Sequence, residues 1–166
     1  MSRDRKVLIF GGLALAAFGM FYGLHYALFV EHQTLDQLGG SLATAFVSAA
    51  ERKLPESRAA LDRYAAIRYD YVRQVDVHSH WIGLAMLMIV VGAAFDRVAF
   101  SGSIKFWIAL ALTIGAIVFP LGVILQTVSH GSALASALAI LGSGLVIMAL
   151  AATALGFARQ GAPGGA

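Results

Sequence analysis

Four long apolar runs dominate the chain: residues 7–30, 77–95, 104–128 and 134–158. Each meets the length of about 20 residues that a helix needs to cross a hydrocarbon core of about 30 Å. The predicted fold is therefore all-α, an integral membrane four-helix bundle with a helical outer extension, read as one domain over residues 1–166.

The segment 31–76 carries a second, amphipathic pattern. Thr34 and Gln37 have the spacing of a capping box, and Leu35, Leu38, Leu42, Phe46 and Val47 recur at helical intervals behind them. The Gly39-Gly40 pair weakens this short helix. Pro55 suits the first turn of another helix, along which Leu61, Tyr64, Ala65, Tyr71, Val72 and Val75 form an apolar stripe, with Asp62, Arg63, Asp70 and Arg73 largely off it. No breaker separates this pattern from the second span, so one helix is expected over 56–95, roughly 60 Å long. Its stripe needs a partner, either the preceding helix or a second protomer, which implies a homo-oligomer or a subunit of a membrane complex.

Within the spans, Pro120 removes a backbone hydrogen bond and is expected to kink its helix. Gly142, Ser143, Gly144, Ala149, Ala152 and Gly156 are small enough to bring helices close together. The tail 161–166, GAPGGA, reads as disordered.

Charge orients the bundle. Arg3, Arg5 and Lys6 precede the first span, Arg97 and Lys105 lie between the second and third, and Arg159 follows the fourth. The turn SHGSA carries no Lys or Arg, and the 31–76 segment balances six of them against seven Asp and Glu. By the positive-inside rule both termini are cytoplasmic, in a bacterial-type inner membrane. Trp81 and Trp107 fit the interfacial aromatic belts. The first span begins like a signal peptide, but its apolar run is too long and too aromatic, and it is read as a retained anchor. A net charge of +3 in a chain that is 59% apolar and 13% charged is thus an orientation signal, not a nucleic-acid footprint.

The absence of cysteine excludes disulfides, iron–sulfur clusters, thiolate-held zinc and covalently attached haem. Any metal must rest on His, Met, carboxylate or carbonyl groups. All five histidines fall on the outer side: His25 near the end of span one, His32 just beyond it, His78 and His80 opening span two, and His130 closing span three. His25 lies five residues inside its span, where a polar ring is costly without a partner. Its expected partners are His78 or His80, and His130 with Gln126 one turn beneath. Side chains two apart on a helix differ by about 200°, so only one of His78 and His80 is expected to face the interior. His80 is preferred, because Asp76 four residues earlier can hold its second ring nitrogen.

Imidazoles on facing helices suit the axial positions of non-covalent haem b, with Gly19, Gly23 and Gly83 leaving room for a flat macrocycle. Copper is the alternative, since Met20, Met86 and Met88 lie in the same two helices. Zinc on three histidines is chemically allowed, but no HEXXH motif accompanies it. With GLHYALF, DVHSHWIGL and LQTVSHG at the outward ends of three spans, the chain resembles small four-helix membrane cytochromes b. The resemblance implies one-electron transfer between a membrane quinol pool and a periplasmic redox protein, or haem handling, with His25 and His80 or His130 as axial ligands. It departs from larger b-type cytochromes in lacking paired histidines in both leaflets.

No GxSxG elbow or phosphate loop occurs, no catalytic residue is assigned, and Lys105 reads as an interfacial anchor. Transport would need an oligomer or a partner subunit. An accessory or assembly subunit of a larger membrane complex is the main reading without a cofactor.

Overall fold

The computed structural model describes residues 1–160, which form five α-helices and no strand. They are α1 (Arg3–Phe29), α2 (Glu31–Ala50), α3 (Leu54–Ala94), α4 (Gly102–Val128) and α5 (Ala133–Gln160), with a single 3-10 turn at Phe95–Arg97. Helices α1, α3, α4 and α5 are each long and apolar enough to span a membrane. The tail expected to be disordered lies outside the described residues. Pro55 falls in the first turn of α3, which runs unbroken for 41 residues as the pattern predicted.

Two compact units divide the chain, Met1–Met20 with Val77–Ala166, and Phe21–Asp76. In the first, the start of α1 packs on the end of α3 through glycines. A Cβ on Gly12 would lie 2.9 Å from the Ala85 carbonyl oxygen, and one on Gly92 would lie 3.0 Å from Leu8 Cβ. Val77, Trp81, Ala85, Met88 and Gly92 repeat at three- and four-residue steps and are all buried. This is the seam expected of a helix with a close neighbour.

Helices α4 and α5 approach by the same means. A Cβ on Gly142 would lie 2.7 Å from Phe119 Cα, one on Gly122 2.8 Å from Ala139 Cα, and one on Gly115 2.8 Å from the Gly142 carbonyl oxygen. Gly156 closes the far end, where its carbonyl accepts the Ala99 N–H at 3.0 Å. Gly142 and Gly156 thus do the packing expected of them, whereas Gly144 faces open space. Pro120 is wholly buried and does not end its helix, which continues to Val128. At the end where α1 begins, Arg5 Nη1 meets Asp96 Oδ2 at 2.7 Å and Lys105 Nζ donates to the Asp96 carbonyl at 3.2 Å.

The second unit contains α2 and the first part of α3. Ser41, Ala45 and Ser48 on α2 and Ser57 and Ala60 on α3 are buried, and Ser57 Oγ donates to the Ala45 carbonyl at 2.9 Å. Small residues therefore make this interface. The large apolar residues of the predicted stripe do not close it: Leu61, Val72 and Val75 stay exposed, as do Leu35, Phe46 and Val47 on α2. Thr34 is not a capping residue either. Helix α2 starts at Glu31 directly after a one-residue break at Val30, so Thr34 already sits inside it and donates its hydroxyl back to the Val30 carbonyl at 3.0 Å. The Gly39-Gly40 pair lies within the helix without interrupting it. The hairpin turn is closed by Lys53 N–H donating to Ser48 O at 2.8 Å, with Arg52 held at φ 59°, the left-handed conformation usual for glycine.

Candidate functional site

Helix α3 begins its buried, membrane-compatible part at Val77, and this places His78 and His80 on opposite flanks of one turn. His78 Nδ1 lies 2.9 Å from the Gly19 carbonyl oxygen of α1. A carbonyl can only accept, so Nδ1 carries a proton and donates it to this bond. The His80 ring meets the Phe119 ring of α4 edge-on, centroids 4.7 Å apart. Both rings are half-buried. Helix α3 has α1 on one flank and α4 on the other, so side chains about 200° apart each find a helix.

One helical turn from His78 lies an apolar cavity of about 350 Å³, lined among others by Gly11, Leu15, Phe18, Trp81, Met88 and Leu121. Phe18 and Trp81 pack edge to face on its wall, with centroids 4.8 Å apart. No histidine lines it. Gly19 does not leave a macrocycle room, because a Cβ there would meet Trp81 Cβ and Ile82 Cδ1 at 3.1 Å; its space is spent on helix packing. Gly83 faces open space.

The remaining sequence candidates are placed as follows. His25 belongs to the Phe21–Asp76 unit, is exposed, and stacks its ring near Phe29 at 5.4 Å between centroids. His32 is exposed and pairs with Asp36, Nε2 to Oδ2 3.5 Å. His130 is exposed in the turn between α4 and α5. Gln126 Oε1, one turn below it, is buried without a hydrogen-bond partner among the described residues. The methionines proposed for copper diverge: Met88 is fully buried, while Met20 and Met86 are exposed. Among the described residues no group of three or more His, Asp or Glu has the geometry to hold a metal ion, which removes support from the three-histidine zinc arrangement.

The Phe21–Asp76 unit contains a polar cluster, of which only Tyr71 belongs to the apolar stripe read from the sequence. Tyr22 OH donates to Gln74 Oε1, Tyr71 OH donates to Glu31 Oε1 at 3.2 Å, and the Tyr26 and Tyr71 rings lie 6.5 Å apart. A small cavity of about 190 Å³ opens among Tyr26, Thr34, Gln37, Asp70, Tyr71 and Gln74. The signal was present in the spacing: Tyr22 and Tyr26 are four apart, Tyr71 and Gln74 three apart, so each pair shares a helix face.

No family model, curated protein or solved structure matches this chain.

Proposed function

We propose that this chain is a small multi-pass membrane protein that would hold haem b near one end of its bundle and pass single electrons, with His78 as a residue that would hold it. The observation that carries the reading is the His78–Gly19 hydrogen bond. A ligating histidine needs its non-ligating nitrogen tied to an acceptor, which fixes tautomer and ring orientation and raises the basicity of the other nitrogen. Here the Gly19 carbonyl plays that part. Phe18, Trp81 and Met88 one turn away give this end of the bundle an apolar surround.

His130 is the candidate for a second ligand to accompany His78, with Gln126 the buried acceptor nearest to it in sequence, and His80, on the opposite flank of α3, is the alternative to His78. Haem, when bound, would supply a one-electron couple. The protein's own residues would orient the imidazole, exclude water with aromatic rings, and raise or lower the potential through burial. An inner-membrane setting with cytoplasmic termini, and exchange with a quinol or a periplasmic redox protein, belong to the same proposal. The test is a set of variants followed by absorption spectroscopy. His78→Ala should lose the reduced α-band while retaining its helical circular dichroism, and His32→Ala should keep both. An unchanged band in His78→Ala would remove the ligand assignment.

A second reading, an accessory subunit of a membrane complex, is favoured by the hairpin α2–α3. Phe46 is 69% exposed and Val47 58%, although the hairpin has its own small-residue interface. Large apolar groups left outside a completed interface are the mark of a surface that docks on protein. Under this reading Leu61→Asp with Phe46→Asp abolishes co-purification of a partner, and the histidine variants do not.

A further inference from the structure

At the end of the bundle where α1 and α4 begin, a cavity of about 410 Å³ is lined by Arg3, Asp4, Gly102, Ser103, Phe106 and Trp107. Asp4 is only 7% exposed. Among the described residues its carboxylate enters no ion pair and no side-chain hydrogen bond, and the neighbouring Arg5 is committed to Asp96 at 2.7 Å. Its place in the first turn of α1 gives it a favourable helix dipole. A dipole end is no substitute for a cation, however, and a buried carboxylate without one is expensive. The cavity thus offers Asp4 to a positive charge, with the Arg3 guanidinium also on its lining.

The opposite charge is provided for as well. Ser101 stands at the N-cap of α4 but makes no side-chain hydrogen bond to the helix, so the first-turn amides at Gly102 and Ser103 have no side-chain cap. Together with the Arg3 guanidinium they suit a phosphate group. A ligand that carries an ammonium and a phosphate within one small headgroup satisfies both sides at once. Trp107, 66% exposed beside Phe106, supplies the amphipathic ring that sits at a membrane–water interface, which ties the headgroup to a hydrocarbon tail.

We propose that this cavity binds the headgroup of phosphatidylethanolamine, its ammonium on Asp4 and its phosphate on Arg3 and the α4 amides. The site is independent of the haem reading and stands or falls separately from it.

The experiment equilibrates the full-length protein in detergent with equimolar phosphatidylethanolamine and phosphatidylglycerol, and counts retained lipids by native mass spectrometry. The expected wild-type result is an ethanolamine preference of about tenfold, the size of one charge-assisted contact. Asp4→Asn should bring the ratio near one, Asp4→Glu should preserve it, and Arg3→Gln should lower retention of both lipids. A ratio is insensitive to general loss of stability, so a purely structural role for Asp4 would leave it unmoved. Equal retention by the wild type, or an unchanged ratio in Asp4→Asn, would overturn the proposal. So would full displacement by glycerophosphoethanolamine at the lipid's own concentration, which would make the ligand a free zwitterion.

Discussion

Substituting Gly142 by alanine tests how the α4–α5 pair is held together. The new Cβ would lie 2.7 Å from Phe119 Cα, against the 3.4 Å at which ordinary contact begins. Backbone cannot rotate away, so the helices must separate by about 0.7 Å, a gap that forfeits roughly a quarter to a half of each dispersion contact across it. The faces that lose contact carry Ile108, Leu112, Ala116 and Val123 on α4 and Ala135, Val146 and Ala149 on α5, all buried. With roughly 40 atom pairs at about 0.15 kcal/mol each, the loss is about 1.5–3 kcal/mol, in the range measured for overpacked cores. Alanine's better helix propensity offsets up to about 1 kcal/mol of this.

Gly144→Ala is the matched control, because a Cβ there meets nothing within 4 Å. It gains the propensity without the clash. The two variants should therefore differ by about 1.5–3 kcal/mol, or about 3–12 °C in Tm for a chain of this size. Thermal unfolding in one detergent, followed by circular dichroism at 222 nm, reads the difference. Melting of the two variants within a degree of each other would refute the close-packing argument, since nothing else distinguishes the positions.

Three further outcomes follow from the hairpin. Arg52→Gly should stabilise it by about 0.5–1 kcal/mol, because φ 59° strains a side-chain-bearing residue; urea unfolding monitored in the hairpin checks the sign. Ser57→Ala should cost about 1 kcal/mol or slightly more, since it removes the donor to the Ala45 carbonyl inside a buried small-residue contact, and Ser57→Thr should lose as much through crowding. Phe46→Asp should reduce self-association or partner capture in analytical ultracentrifugation without changing the helix content, and retention of the oligomer would show that this face is not the one that docks.

The spans, the unbroken α3 and the glycine contacts of α5 were legible because each rests on local, additive information: apolar length, absence of a breaker, and side-chain size. The interface of the α2–α3 hairpin was not, because hydrophobicity was taken as the guide to what is buried. Ser41, Ala45, Ser48, Ser57 and Ala60 make the closer fit, and the larger Leu61, Phe46 and Val72 are left outside. Thr34 misled for a related reason, as its capping spacing was correct but the helix had already begun. At the candidate site the sequence found both histidines of the HSH motif, yet the choice between them depended on which neighbour each flank of α3 meets. That depends on tertiary packing, and the Gly19 carbonyl that anchors His78 carries no side-chain signal at all. Asp4 was passed over because the basic residues around it dominate the charge pattern, and its burial arises only where α1 and α4 begin together.

The most direct test of the cofactor reading is a dithionite-reduced minus air-oxidised spectrum of the detergent-purified chain, with iron determined on the same sample. The account predicts a sharp b-type α-band and about one iron per chain. A sample that is folded by circular dichroism yet shows no band and no iron, even after haem is offered, would contradict it and leave the subunit reading in its place.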